Sequence, residues 1–216
     1  MTTIKRSVFF GGSFDPPHVG HLEMLLSLAK DSWTQKVFVV PTSVNPLKTQ
    51  QTNNNIWSNT EHRSKWISKV IEEAKESLNE SDFNKIELCD LEISKPNSTA
   101  YTVETLSTLR SQHKEIDSWS LAIGSDLLES LPRWKEVNRL LSLLESVWVF
   151  PRGKEQNIAA MIPADYQTLC PFRIMGQKIP DVSSSEIRIK LEDSSGGASC
   201  KNLLPSRVLS SIQELL

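Results

Sequence analysis

The chain has 216 residues, of which 38% are hydrophobic and 23% are charged, and its formal net charge at pH 7 is −2. This length and composition predict one compact unit, 1–216, with a buried core. The nearly balanced charge argues against a nucleic-acid groove or a polybasic membrane surface, and no apolar run approaches the ~20 residues of a transmembrane helix. We therefore expect a soluble, cytoplasmic protein with neither nucleic acid nor membrane as a partner.

Strand-like apolar runs alternate with helical patterns along the chain. Strands are predicted over Ile4–Phe10, Lys36–Pro41, Ile86–Leu88, Ser118–Ile123, Ser146–Phe150 and Phe172–Met175. Helices are predicted over His21–Lys30, Glu61–Leu78, Thr99–Gln112, Arg133–Leu144, Ser184–Glu192 and Pro205–Leu216. This order predicts an α/β fold, a doubly wound and mainly parallel sheet with helices on both faces. The Asn- and Gln-rich stretch 49–59 is predicted as a surface loop.

The three cysteines give no sign of a disulfide framework or a zinc site. Cys89, Cys170 and Cys200 are odd in number, widely spaced and without a C-x-x-C pair. No carboxylate cage is apparent either, so we predict no metal site built by the protein alone.

The junction between the first strand and the first helix has the composition of a phosphate site. It reads Gly11-Gly12-Ser13-Phe14-Asp15-Pro16-Pro17-His18-Val19-Gly20-His21. Glycines let the backbone approach a ligand closely, and the helix that follows presents backbone N–H groups and a positive dipole end. His18 and His21, three residues apart, lie on one side of the first turn, where both imidazoles could donate to one phosphoryl group.

A second helix start near residue 183 has similar chemistry. The segment Ile179-Pro180-Asp181-Val182-Ser183-Ser184-Ser185-Glu186-Ile187-Arg188 places three hydroxyls where a helix should begin, with Arg188 about one turn inside it. Serine hydroxyls can cap the helix or bind phosphate oxygens, and the arginine fork can bridge two oxygens of a triphosphate.

Both segments resemble one family. The chain has neither the G-x-x-x-x-G-K-[ST] loop nor the G-x-G-x-x-G loop, and their absence argues against a kinase-type protein and against a Rossmann dehydrogenase. The first segment resembles the H-x-G-H signature of the nucleotidyltransferase superfamily, in the longer form of its nicotinate (nicotinamide) mononucleotide adenylyltransferase branch. The second is similar to the superfamily's I-S-S-T-x-I-R, with Val182 in place of Ile and Ser185 in place of Thr. The resemblance implies a Rossmann-like fold in which the helical part 183–216 completes the ATP site.

On this resemblance, the ATP side of the site is assigned as follows. Asn45-Pro46-Leu47-Lys48 resembles the family's N-P-x-K loop, in which the lysine reaches phosphate. The catalytic residues implied are His18, His21 and Arg188, and the ATP and phosphate ligands are Gly11, Gly12, Ser13, Phe14, Lys48, Ser183 and Ser184. Magnesium is expected to enter bound to the phosphates of ATP. Pro151-Arg152 resembles the family's P-R turn, which implies that Arg152 approaches the adenosine.

The mononucleotide side follows from three further matches. Tyr101-Thr102-Val103-Glu104-Thr105-Leu106 resembles S-Y-T-x-x-T-L, Gly124-Ser125-Asp126 resembles G-x-D-x-L, and Trp134 takes the place of the indole that stacks on the pyridine ring. The implied mononucleotide-binding residues are Asp15, Tyr101, Thr102, Asp126 and Trp134. Core packing is an equal alternative for Tyr101, and loop bracing is an equal alternative for Asp15.

The activity implied is transfer of the adenylyl group of ATP to nicotinate mononucleotide, with release of pyrophosphate and no covalent intermediate. In the family's acid-preferring members, backbone N–H groups near Thr102 and Trp134 bind the ring carboxylate, so nicotinate is favoured. Three alternatives stay open: nicotinamide mononucleotide as the acceptor, a pantetheine-phosphate adenylyltransferase, and a noncatalytic nucleotide sensor. Monomer and homo-oligomer are also both open.

Overall fold

The computed structural model describes residues 4–44, 56–94, 98–153, 157–192 and 199–216. Its centre is one sheet of six strands in the order β3-β2-β1-β4-β5-β6, and all five neighbouring pairs are parallel. The strands are β1 (Arg6–Gly12), β2 (Lys36–Pro41), β3 (Ile86–Leu88), β4 (Ser118–Gly124), β5 (Ser146–Phe150) and β6 (Phe172–Ile174). This order is that of a doubly wound sheet, which confirms the predicted fold class.

Nine helices are found in the part of the chain that the structure describes. They are α1 (Val19–Lys30), α2 (Thr60–Ala74), α3 (Glu80–Phe83), α4 (Thr102–Gln112), α5 (Val137–Ser142), α6 (Ile158–Met161), α7 (Ala164–Leu169), α8 (Ser184–Glu192) and α9 (Ser206–Gln213). The predicted helix over Arg133–Leu144 is wrong in its first half. Leu131–Arg133 forms a 3₁₀ turn, and Glu136 takes a left-handed φ of 48° that interrupts any helix before Val137.

The sheet buries both of its faces. Successive side chains of β1 point in opposite directions, so Val8 and Phe10 join one core and Phe9 joins the other. The first core is covered by α1, α2, α8 and α9, and the second by α4 and α5. Helices therefore cover both faces, as predicted.

The strand order places the predicted site. β1 lies between β2 and β4, and the chain winds in opposite directions on the two sides of the β1–β4 pair. Open α/β sheets bind ligands in the crevice at the carboxyl ends of the strands where this reversal occurs. The loop after Gly12 and the loop after Gly124 both emerge there. Among the described residues, no helix is both long and apolar enough to span a membrane.

Candidate active site

The loop after β1 folds back onto its own strand. A Cβ on Gly12 would lie 2.9 Å from the ring of Phe14, so a side chain there would displace the loop. Phe14 has a φ of 50° and a buried ring, which packs edge-on against Phe10 and His21 at centroid distances of 5.7 and 5.0 Å. Phe14 therefore supports the ring of His21 as well as lining the crevice.

The rings of the two histidines of this loop are in contact at the start of α1, in a tilted arrangement. Their ring centroids are 3.9 Å apart with an interplanar angle of 32°. The backbone N–H of His18 donates to Nδ1 of His21 at 3.1 Å. Neutral His21 therefore carries its proton on Nε2, from which a phosphate oxygen could accept a hydrogen bond. The backbone N–H of Val19 donates to the carbonyl of Leu203 at 3.0 Å, so that amide of the helix start is used within the protein.

His18 is held in its neutral form. Burial lowers its pKa well below the usual 6.5, and the neighbouring His21 and Arg152 lower it further. Its Nδ1 is buried without a hydrogen-bond partner. A neutral imidazole next to His21 avoids repulsion between two adjacent cations, and it can still donate a hydrogen bond to a phosphate.

The second predicted segment docks against the first loop. The hydroxyl of Ser184 donates to the carbonyl of Pro16 at 2.9 Å, and the Arg188 guanidinium donates to the carbonyl of Asp15 at 2.7 Å. Arg188 also lies 3.5 Å from the carboxylate of Asp15. Ser183 caps α8 by accepting from the backbone N–H of Glu186 at 3.1 Å. These contacts join residues about 170 positions apart in the sequence, and they bring the starts of α1 and α8 to the same crevice.

The loop after β4 forms the opposite wall. Asp126 lies in a 3₁₀ turn, and its carboxylate accepts from the Arg152 guanidinium at 2.8 Å. The same guanidinium contacts the carbonyl of Val182, and the backbone N–H of Arg152 donates to the hydroxyl of Ser125 at 3.0 Å. Arg152 therefore joins the β4 loop to the segment that precedes α8.

The mononucleotide residues lie at the far end of the crevice. Tyr101 is the N-cap of α4 and Thr102 is its first residue, three residues after the predicted helix start at Thr99. The indole Nε1 of Trp134 donates to the hydroxyl of Ser130 at 3.4 Å. The cavity that contains these groups has a volume of about 860 Å³, within the usual range for small-molecule sites.

The structure brings most of the sequence-predicted residues to this one cavity. Those that line it are Gly11, Gly12, Ser13, Phe14, Asp15, His18, His21, Tyr101, Thr102, Asp126, Trp134, Ser183 and Ser184. Arg188 is not among the lining residues and reaches the loop through Asp15. Lys48, with the rest of its predicted loop, lies outside the described residues.

Sequence reasoning missed the buried Arg63. Its guanidinium donates to the carbonyls of Ser13 at 2.9 Å and Ser43 at 2.7 Å, and also to that of Thr42. Burial lowers its pKa, although Asp15 and Glu92 act in the opposite direction. A signal was present in the sequence. Arg63 begins the buried stripe of α2, which continues through Trp66, Ile67, Val70 and Ala74, and a charge at such a position needs buried partners.

Glu92 is a second residue that the sequence did not single out. It lines the cavity, and its Oε1 accepts from the hydroxyl of Thr105 in α4 at 2.6 Å. Burial raises its pKa. Nothing in the sequence around Glu92 distinguishes it from a surface carboxylate.

The carboxylates of the crevice do not form a metal cage. Asp15 forms an ion pair with Arg188 and Asp126 forms one with Arg152, whereas Glu92 accepts a hydrogen bond from Thr105. Within the described ranges, no group of three or more His, Cys, Asp or Glu side chains is placed to hold a metal ion.

A fully parallel sheet of order 3-2-1-4-5-6, with a histidine-bearing helix start at its switch point, defines a nucleotide-binding α/β protein. The comparisons with known proteins narrow that class. A family model described as cytidylyltransferase-like matches residues 9–190. A Bacillus cytotoxicus protein named a probable nicotinate-nucleotide adenylyltransferase is 31% identical, over 97% of this chain and 96% of that one. The chain belongs to the cytidylyltransferase-like family and, within it, to the nicotinate-nucleotide adenylyltransferases.

Further relatives agree with this placement. The Bacillus subtilis nicotinate-nucleotide adenylyltransferase is 26% identical over 98% of this chain and 97% of its own length. Among solved structures, Plasmodium falciparum nicotinic acid mononucleotide adenylyltransferase complexed with NaAD superposes with a TM-score of 0.74, at 21% identity over 98% of this chain and 96% of that one. The same enzyme complexed with APC gives a TM-score of 0.72 at 22% identity, with the same coverage. These superpositions confirm the fold.

Proposed function

We propose that the protein joins ATP and nicotinate mononucleotide to give nicotinate adenine dinucleotide and pyrophosphate in NAD biosynthesis. One observation carries the proposal. The adjacent rings of His18 and His21 at the start of α1 lie across one crevice from the serines at the start of α8. The carbonyls of Asp15 and Pro16 accept hydrogen bonds that join the two segments. Family membership supports the same reaction, since the relatives carry the name of this activity.

The reaction needs alignment and charge neutralisation more than covalent chemistry. The 5′-phosphate oxygen of the mononucleotide attacks the α-phosphorus of ATP, a new P–O bond forms, and the bond to the bridging oxygen of pyrophosphate breaks. His21 would donate from Nε2 to a non-bridging oxygen of the α-phosphate. His18 would donate to a neighbouring phosphoryl oxygen. The hydroxyls of Ser183 and Ser184 would contact the remaining phosphates, with Lys48 as a further cation.

Arg188 acts differently in this proposal from the sequence expectation. Its guanidinium lies against Asp15 and Ser185 at the base of the loop. We assign it the positioning of the loop and long-range charge balance, and we assign Asp15 the bracing role. Gly11, Gly12, Ser13 and Phe14 form the floor on which the phosphates would rest.

On the acceptor side, Trp134 would stack on the pyridine ring between Tyr101 and the β4 loop. The first N–H groups of a helix have no partner within it, and the start of α4 at Thr102 lies in the same cavity. These donors favour a ring carboxylate over a carboxamide. Asp126, whose carboxylate accepts from Arg152, would accept from a ribose hydroxyl.

Magnesium fits as a partner of the nucleotide rather than of the protein. Because the nearby carboxylates are paired with arginines, Mg²⁺ would be held by phosphate and water oxygens, as this ion prefers. When bound, it would withdraw charge from the phosphates. We further propose that 1–216 works as one domain, with 183–216 completing the ATP site, and that it works in the cytoplasm.

The test is pyrophosphate release from Mg-ATP with nicotinate mononucleotide, nicotinamide mononucleotide or phosphopantetheine supplied separately at equal concentration. We expect the first to dominate. Faster pyrophosphate release with nicotinamide mononucleotide would change the assigned acceptor but leave the proposed mechanism unchanged. Turnover with phosphopantetheine alone would overturn the acceptor assignment, and ATP binding without turnover would favour a sensor. His62→Ala is a matched control, because His62 on α2 hydrogen-bonds the backbone carbonyl of Ile56 and does not line the cavity.

A further inference from the structure

Lys135 lies next to the start of α4, at the end of the cavity that we propose for the acceptor. Lys135 follows Trp134 directly, and both line the cavity. Its ammonium lies 4.1 Å from the ring centroid of Tyr101, the N-cap of α4, and 2.6 Å from the carboxylate of Glu104 in the first turn of that helix. These contacts fix the charge on one side of the helix start, and its side chain stays 38% exposed.

The ammonium has capacity for a further partner. A lysine has three N–H donors and no acceptor, and here Glu104 takes one while the face of Tyr101 stabilises the charge without taking a donor. The hydrogen bond from Lys135 to Glu104 also raises the pKa of the ammonium, so it stays charged at neutral pH. A donor is therefore left for a ligand oxygen next to Trp134.

The other charged groups that face this position do not replace it. Arg133 also lines the cavity, at the end of the 3₁₀ turn that precedes Trp134. Glu92 lies deeper and accepts from Thr105. Glu104 is the carboxylate nearest to Lys135, and it would repel an anionic ligand while holding the lysine in place.

We propose that Lys135 is a specificity-determining residue, which selects an acceptor with an anionic ring substituent over its neutral carboxamide analogue. This inference rests on the proposed function. The two acceptors have nearly the same shape, so a cation beside the ring distinguishes them by charge. Glu104 tunes the selection, because it shares the same ammonium with the ligand.

The test compares the kcat/KM values for nicotinate and nicotinamide mononucleotides in the wild type, Lys135→Gln and Glu104→Gln. Lys135→Gln should lower the acid-to-amide ratio about tenfold, the loss expected for one charge-assisted hydrogen bond, and the change should be in KM for the acid. Glu104→Gln should shift the ratio in the opposite direction by lowering that KM. A role in folding alone would not give opposite shifts from the two partners of one ion pair.

Two controls separate the possible outcomes. Lys135→Arg keeps the charge and should keep the preference, and Arg139→Gln removes one cation of the exposed pair with Glu136 outside the cavity and should leave the ratio unchanged. A wild-type enzyme that does not use nicotinate mononucleotide would overturn the proposed function itself. A wild type that uses it, with an unchanged ratio in Lys135→Gln, would overturn only the role of Lys135.

Discussion

Arg63 offers a direct test of how the phosphate loop is held. We consider Arg63→Lys, which keeps the positive charge but replaces the planar fork by one nitrogen. The guanidinium reaches Ser13 through one nitrogen and Ser43 through the other, and a single ammonium on a shorter reach cannot serve both sides. We expect the ammonium to keep the carbonyl of Ser43, so those of Ser13 and Thr42 lose a charged donor at roughly 1–2 kcal/mol each and the unfolding free energy should fall by about 3 kcal/mol.

This loss should be measurable as heat stability and as activity. For a chain of this size, about 3 kcal/mol corresponds to a Tm lower by roughly 6–12 °C. Because Ser13 belongs to the loop that would carry the phosphates, kcat/KM should fall at least about tenfold in the folded variant. Calorimetry and pyrophosphate release measure the two effects. Arg110→Lys is the matched control, since Arg110 donates to the single carbonyl of Leu143. Equal Tm values for the two variants would refute the reasoning.

Three further predictions concern the histidine loop. His21→Ala should lower kcat about 10²–10³-fold, as for loss of one transition-state donor, and cost only about 1 kcal/mol of stability; parallel losses in both assays would contradict the proposed role. The folded state keeps His18 neutral, so below pH 6.5 the unfolded chain binds one more proton and unfolding free energy should fall as the pH drops. In urea titrations His18→Gln should remove that slope, about 1.4 kcal/mol per pH unit, whereas the raised pKa of Glu92 acts in the opposite direction in both proteins. In Gly20→Ala the new Cβ would lie 3.0 Å from the His18 ring and 3.0 Å from Ile179. The displaced ring should lower kcat/KM about tenfold, and Tm should stay nearly unchanged because alanine favours the helix. Wild-type activity in this variant would show that the reaction does not need the exact position of the His18 ring.

The parts of the fold that follow from local pattern were predicted well. β2, β3, β5 and α8 have the bounds that periodicity gave, because each is a short apolar or amphipathic run between clear breaks. The helix predicted over Arg133–Leu144 was confirmed only over Val137–Ser142, because Arg133 ends a 3₁₀ turn and the left-handed backbone at Glu136 stops any helix before Val137. The short helices α3, α6 and α7 are too brief to show a period.

In the candidate site, too, the residues of contiguous motifs could be predicted from the sequence, and those whose partners lie far away along the chain could not. The histidine and serine segments are contiguous, so their chemistry is visible in the sequence. The braces Arg63 and Arg152 act on carbonyls and carboxylates from distant loops, and no local pattern encodes those partners. Arg188 shows the limit most clearly. Its phosphate role stays a prediction from residue type and position, and only the structure shows that its guanidinium lies against Asp15.

The contacts between the first loop and the segment around α8 also bear on the order in which the nascent chain folds. Asp15 and Pro16 leave the ribosome long before Arg188, Ser184 and Leu203, which hold that loop and the first amide of α1 in place. Contacts so distant along the chain form late in folding. The nascent chain can therefore build the β1–β2 pair early, but the contacts that hold the first loop against α1 and α8 can form only after residues near 203 have emerged.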